Sequence, residues 1–274
     1  MLDIGRDISS SEEVSEEKRF ERDTDRRSNG VVRSEIKGEG VSRQMVQPRE
    51  KQDFLECSKK ALAEINRRGI GVVLFGQGSL RAYAILKGFE VRETIDLDFI
   101  MNYEDTDLSD FTQILKQSGF KFVSEISGKK RYWHPIEKLP KVLRKSKTKA
   151  VRVAVDKNSD YHIDFVFVLR VNFANFWSYS SKIELIEFGN VKVDAVKPWQ
   201  QACMKIEAAR RTKEKNDIKD VEDALPLILE VSNEVEIKAL YNFLKQRENL
   251  AGVRNLIRKV EEFALSKQIH LVKE

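Results

Sequence analysis

Asp96 and Asp98 stand one residue apart in Thr94-Ile95-Asp96-Leu97-Asp98-Phe99, with apolar residues alternating between them. A strand has a side-chain period of two, so this segment puts both carboxylates on one face and Ile95, Leu97 and Phe99 on the other. Two carboxylates held that close repel each other and resist desolvation, a cost that a bridging cation removes. Mg2+ (or Mn2+) is the expected cofactor, because such ions take one or two carboxylates plus water and substrate phosphates. The alternative is a half-exposed strand carrying two acids on its wet side. Asp164 adds weight to the metal reading. It lies in Ile163-Asp164-Phe165-Val166-Phe167-Val168, where every neighbour reads as buried strand, so an ionised carboxylate there needs a partner. If the two strands are neighbours, three acids suit two divalent ions in an in-line phosphoryl or nucleotidyl displacement. The competing expectation pairs Asp164 with a cation on an adjacent strand, and Arg152 is the candidate.

A glycine turn supplies the other half of such a site. Gly76-Gln77-Gly78-Ser79 lies between the apolar run 70–75 and a helical pattern over 80–87. Gly76 and Gly78 let backbone N–H groups approach a phosphate, the helix N-terminus adds a favourable dipole, and Ser79 offers a hydroxyl. The turn lacks the Lys-Ser/Thr of a Walker loop and the third glycine of a dinucleotide fingerprint.

The elements that must position these residues follow from periodicity. A helix is expected over 52–68, strands over 70–75, 94–101 and 121–126, and a helix over 108–117. The stretch 129–149 is basic and hard to read. Strands over 151–155 and 161–169 flank Lys157-Asn158-Ser159-Asp160 as a hairpin, and a second hairpin joins 183–188 to 191–196 through Gly189-Asn190. Pro198 opens a helical remainder, with helices over 199–211, 217–230, 234–246 and 251–266. The expected fold class is therefore α/β (α+β): a mixed sheet with flanking helices over residues 50–197, then a helical domain over 198–274. Residues 1–49 alternate charge signs, hold few apolar side chains, and are expected to be disordered.

Composition narrows the function. Of the 274 residues, the first 50 carry a net charge of −2 and the rest +7, an excess that suits a nucleotide or RNA. The charged fraction of 34% fits heat adaptation equally well. Two cysteines, Cys57 and Cys203, make no disulfide framework and fit a reducing compartment. No apolar run approaches a membrane span and no signal peptide is legible, so a cytoplasmic protein without membrane contact is expected. His134, His162 and His270 are isolated and lack zinc-site spacing.

Taken together, a G-S turn opening a helix, a strand with D-x-D and a later strand with a third Asp resemble the DNA polymerase beta-like nucleotidyltransferase superfamily. Within it, the pattern resembles the minimal and AbiEii-like toxin branch. Lys197-Pro198-Trp199, followed by Lys205, Ala208, Arg211, Lys215, Asp217 and Asp220, looks like that branch's proline-led helix and its K/R-x-D-x-x-D signature. Arg92-Glu93-Thr94 fits the lead-in to the acids. The resemblance spans roughly residues 70 to 225. It implies a metal-dependent enzyme that transfers NMP from an NTP to an acceptor hydroxyl. Asp96, Asp98 and Asp164 would be the metal-binding and catalytic acids, with Asp164 helping to activate the acceptor. Gly76, Gly78, Ser79, Lys205 and Asp217 would bind the nucleotide. Gln77 departs from relatives in which the two glycines are adjacent, and the 16 residues between Ser79 and Asp96 exceed the spacing of compact antibiotic-modifying relatives.

On residue types alone, Lys205 and its basic neighbours also read as a solvated helix face, and Asp217 with Asp220 as an ordinary helix N-terminal preference. The toxin-like resemblance implies an RNA acceptor, a tRNA end above all, and an antitoxin partner. Lys141, Arg144, Lys145 and Lys147, lying in sequence between the Asp98 and Asp164 strands, motivate the RNA expectation independently. Rival readings are an inactive nucleotidyltransferase-fold binding or regulatory module, a protein-nucleotidylating enzyme, and an RNA-binding scaffold.

Overall fold

Arg49–Arg67 forms helix α1, which turns Phe54, Ala61, Leu62 and Ile65 inward. The computed structural model describes residues 49–89, 96–126, 132–212 and 215–271, all of them within one compact unit, 46–274. The charged tail apart from Arg49, the Arg92-Glu93-Thr94 lead-in, Lys129 to Arg131 and Lys213 lie outside the described residues.

After α1 come β1 (Val72–Phe75), α2 (Gly76–Leu86), β2 (Asp96–Asn102), α3 (Leu108–Ser118), β3 (Phe122–Glu125) and β4 (His134–Pro135). Then follow α4 (Leu139–Lys145), β5 (Ala150–Ala154), β6 (His162–Val168), α5 (Arg170–Ser178), β7 (Ser180–Leu185) and β8 (Val191–Val196). The chain ends in α6 (Pro198–Thr212), α7 (Lys215–Val231), α8 (Glu234–Lys245) and α9 (Val253–Ser266). Among the described residues eight strands make one mixed sheet in the order β4-β3-β5-β6-β2-β1-β8-β7. β2 runs parallel to β6 and antiparallel to β1, and β5 closes against β6 as the expected hairpin. The α/β fold class, a mixed sheet with flanking helices followed by a helical part, is therefore the observed one.

Among the described residues three apolar cores organise these layers. The largest lies between one sheet face and α1, α3 and α4, and contains Leu97, Phe99, Phe111, Leu143, Ile163 and Phe165. On the opposite face a small core of Val73, Ile100 and Val196 packs with Phe173 and Phe176 of α5 and Met204 of α6. The third joins the C-terminal helices, and Leu80 of α2 belongs to it. Helix α2 thus bridges the sheet and the helical part.

Four differences from the sequence reading matter for the site. Helix α2 starts at Gly76, so the expected glycine turn is the first turn of the helix itself. Helix α5, in a stretch to which the sequence reading assigned no element, buries no residue fully yet covers part of one sheet face. Helix α4 inserts Leu139 and Leu143 into the core that holds Phe99 and Phe165. Lys141, Arg144 and Lys145 therefore belong to a helix packed on the sheet face opposite the acids, and Lys147 follows in the turn that leads to β5.

Candidate active site

Register places the three acids together. In the parallel β2–β6 ladder Asp96 faces His162 and Asp98 faces Asp164, so four polar side chains occupy adjacent corners of one sheet face. They lie at the N-terminal ends of β2 and β6, beside the C-terminal end of β1, where Phe75 pairs with Asp98 and α2 begins. The intervening residues, Leu97, Phe99, Ile163 and Phe165, are at most 2% exposed on the other face. The period of two that the sequence displays is what separates acids from core.

The corners differ in how their charge is met. Asp164 is buried and gripped by Arg152, whose Nε donates to Oδ1 at 2.7 Å and Nη2 to Oδ2 at 2.6 Å. The expected pairing with Arg152 is thus present, set by the β5–β6 register that puts Arg152 opposite Asp164. Such a two-pronged pair in a buried position holds the carboxylate in place and meets its charge. Asp98 has no such partner among the described side chains. Burial, with Asp96 and Asp164 as like charges, raises its pKa to about 7, and Arg152 offsets this only in part. His162 is buried as well, and desolvation pushes its pKa down, so the ring is neutral at pH 7. Its Nδ1 lies 2.6 Å from the Asp160 carbonyl. Its Nε2, buried and without a hydrogen-bond partner among the described residues, lies 3.8 Å from Asp96 Oδ2 and 3.7 Å from Asp164 Oδ1.

The sequence reading set His162 aside for want of zinc spacing. The signal that finds it is the same period of two: His162 and Asp164 in His-x-Asp share a face, as Asp96 and Asp98 do.

The two glycines serve different ends. Gly76 has φ +66°, and a Cβ there would meet Asp98 Oδ2 at 2.5 Å, so only glycine lets the chain turn this close to the acid. Gly78 faces inward, where a Cβ would meet Leu97 Cδ2 at 3.1 Å, so its role is close packing of α2 on the sheet. Ser79 is buried and its hydroxyl donates to the Val196 carbonyl at 2.7 Å. That bond ties α2 to β8, so the hydroxyl is not the free donor expected from sequence. What remains for an anion is the main chain. Among the described residues no side chain caps the N-terminus of α2, which leaves the first-turn N–H groups without intrahelical acceptors.

From Gly76 and Gln77 a cavity of about 590 Å³ runs between α2, α6 and α7, lined also by Gln201, Lys205, Asp220 and Leu227. Its volume is that of a ligand site. Lys205 lies on it, with Nζ 2.6 Å from Asp220 Oδ2. Asp217, half-buried in the first turn of α7, is not among the lining residues. The structure therefore pairs Lys205 with the second acid of the K/R-x-D-x-x-D segment.

Among the described residues no group of three or more His, Cys, Asp or Glu side chains could hold a metal ion by itself. The donor set nonetheless fits a divalent cation. Asp98 is a carboxylate short of positive charge beside Asp96 on the same sheet face, and such a pair leaves the remaining ligands to water and substrate phosphate.

No family model and no curated protein matches this chain. Solved structures similar to it include JHP933 from Helicobacter pylori, at 16% identity over 82% of this chain and 89% of that one, with a TM-score of 0.37. Another is an antigenic nucleotidyltransferase-like protein from Paracoccidioides brasiliensis, at 14% identity over 74% of this chain and 93% of that one, with a TM-score of 0.42. At that level of similarity the function has to be read from the site itself.

Proposed function

We propose that this chain is a divalent-cation-dependent nucleotidyltransferase: an acceptor hydroxyl bonds to the α-phosphorus of an NTP as the bond to pyrophosphate breaks. The observation that supports this best is a convergence on one patch. Asp96, Asp98 and Asp164 share it with the uncapped start of α2 and the mouth of a nucleoside-sized cavity.

Asp96 and Asp98 would hold Mg2+ or Mn2+, which when bound supplies positive charge to the phosphate oxygens and to the attacking oxygen. The N–H groups at the start of α2 bind the phosphates, and Gly76 keeps that turn within reach of Asp98. Lys205 reaches the same cavity and would exchange Asp220 for a phosphate oxygen. Asp164 is placed to take the acceptor's proton only if Arg152 loosens its grip; while both oxygens are held it orients the cluster instead.

The Arg152–Asp164 pair also favours the second reading, a binding or regulatory module that holds a nucleotide without turnover. The acceptor class in the first reading is any hydroxyl, including an RNA end or a protein side chain. The bases of α4 lie across the sheet from the acids and do not argue for RNA.

Incubating the full chain with each α-labelled NTP, Mg2+ or Mn2+, and cellular RNA or protein tests the proposal. Label transfer with pyrophosphate release, abolished by chelator and in Asp98→Asn, is the expected result. Tight, cation-dependent NTP binding with no transfer to either pool would establish the second reading. No NTP binding at all would overturn both.

A further inference from the structure

The sheet ends in two unlike strands. At one side β4 is two residues long and contains Pro135, which blunts that edge. At the other, β7 pairs with β8 alone, residue for residue from Ser180 opposite Val196 to Leu185 opposite Val191, without bulge or proline. The Lys197 N–H donates to the Tyr179 carbonyl at 3.1 Å, and the Asn190 N–H to the Leu185 carbonyl at 3.0 Å. The odd-numbered residues of this strand therefore turn their main-chain groups toward β8, and the alternation of an antiparallel ladder turns those of Ser180, Lys182 and Glu184 outward. Among the described residues nothing pairs with these outward groups.

Such an edge is a template for another strand, and its charges select which one. Lys182 and Glu184 are exposed and share one face of the sheet. Beside them on β8 stand Asp194, opposite Lys182, and Lys192, opposite Glu184, with Lys192 Nζ 3.6 Å from Glu184 Oε1. A second copy of β7 laid antiparallel along the edge, about a two-fold axis, must match outward-facing residues with outward-facing residues. Centred on Lys182 or on Glu184, the ladder sets like charges against each other. Centred on Ser180 or Ser181, it leaves Glu184 without a partner. Centred on Ile183, it sets Lys182 of each copy against Glu184 of the other. The charges across the joined sheet then run Asp194, Lys182, Glu184 of the other copy, Lys192 of the other copy, and their signs alternate throughout. This register also brings Ile186 of one copy to the end of the ribbon where the other holds Tyr179, both of them exposed in the single chain.

We propose that β7 is the contact between two copies of this chain, joined antiparallel about Ile183 into one continuous sheet. Lys182 and Glu184 exchange both main-chain hydrogen bonds with their opposites and supply the charge pairs that fix the register. A six-residue edge is small beside the roughly 20–30 residues that each side of a standard interface supplies, so the dimer is a weak, concentration-dependent one. The contact has β1 and β8 between it and the acid-bearing β2, and it does not depend on nucleotidyl transfer.

Sedimentation velocity of the full chain over a concentration series tests this. The wild-type protein should pass from monomer to dimer as concentration rises. Lys182→Glu faces glutamate with glutamate and Glu184→Lys faces lysine with lysine, so each should weaken the dimer by about tenfold or more. Mixed in equal amounts, the two variants oppose glutamates to lysines at both positions and should recover a heterodimer near wild-type strength. Amide exchange gives a second readout: the Lys182 and Glu184 N–H groups should slow as concentration rises, while those of Ser181 and Ile183, already bonded to β8, should not change. A wild-type protein that stays monomeric throughout, a dimer that survives both variants unweakened, or variants that stay monomeric when mixed would overturn the proposal. So would a wild-type dimer whose Lys182 and Glu184 amides exchange as freely as in the monomer, a measurement that decides the matter even if a variant fails to fold.

Discussion

On one face of the β2–β6 pair, Phe99 and Phe165 stack with ring centroids 5.8 Å apart, and Phe111 of α3 meets Phe165 edge-on at 5.0 Å. On the other face, one residue away along the same strands, stand Asp96, Asp98, His162 and Asp164. The first face contributes stability through aromatic burial and close packing. The second gives stability up, through a carboxyl raised to about 7, a bare buried nitrogen and a buried ion pair. A face that breaks the rules of burial between strands that obey them marks where selection acts on something other than folding.

The sharpest way to break the contrast is Asp98→Asn. Nucleotide transfer should fall by about 10²-fold to 10³-fold or more, the scale of a single preorganised charge-stabilising group. At pH 8 the same change should raise folding stability by about 2–4 kcal/mol, because it removes a carboxylate ionised against its environment. Steady-state assays and denaturant titration check the two halves. Equal transfer in the variant would refute the role assigned to Asp98.

On the dry face, Phe165→Ala should cost about 3–5 kcal/mol, and divalent cations should restore none of that loss specifically. Arg152→Met should cost a similar 3–5 kcal/mol, since Asp164 would be left buried and uncompensated. Here, however, Mn2+ should recover much of the loss by supplying the missing positive charge. Melting temperatures with and without cation separate the two variants, and identical cation responses would erase the distinction between the faces.

Smaller effects distinguish the glycines. Gly78→Val should cost about 1–3 kcal/mol through its clash with Leu97 while leaving the NTP affinity of the folded protein intact. Gly76→Ala should cost about 1–2 kcal/mol from its positive φ and should also weaken cation binding, because the new methyl displaces the Asp98 carboxylate. Calorimetric titration of NTP and of Mn2+ into both variants checks the assignment.

Local pattern made much of this legible before any coordinates. The alternation in β2 separated acids from core, the hairpin at 157–160 predicted the β5–β6 pairing, and Pro198 marked the start of α6. What stayed hidden depends on partners distant in sequence. Nothing local says that β6 lies parallel beside β2, and that neighbour relation is what brings Asp164 and His162 to the acids. The side of the sheet that α4 covers is likewise a tertiary choice, made by Leu139 and Leu143 rather than by the lysines between and beyond them. Gly78 and Ser79 read as phosphate binders because their types permit it, and only the fold shows that the Gly78 α-carbon packs against Leu97 and the Ser79 hydroxyl bonds to the Val196 carbonyl, which leaves the main chain for an anion.

The central claim is that the polar face of β2–β6 is a cation site built at the expense of stability, and thermal melting across pH with and without Mn2+ tests it most directly. In the folded protein Asp98 binds its proton more tightly than in the unfolded chain, so folding takes up a proton between the ordinary carboxyl range and about 7. Without cation, this group's effect is to lower stability as pH rises through that window, with the full penalty present above about 7. Mn2+ should therefore raise the melting temperature little at pH 5.5 and strongly at pH 8, and Asp98→Asn should flatten both dependences. A wild-type protein whose melting ignores Mn2+ at pH 8, or an Asp98→Asn variant that responds to pH and cation as wild type does, would contradict the account.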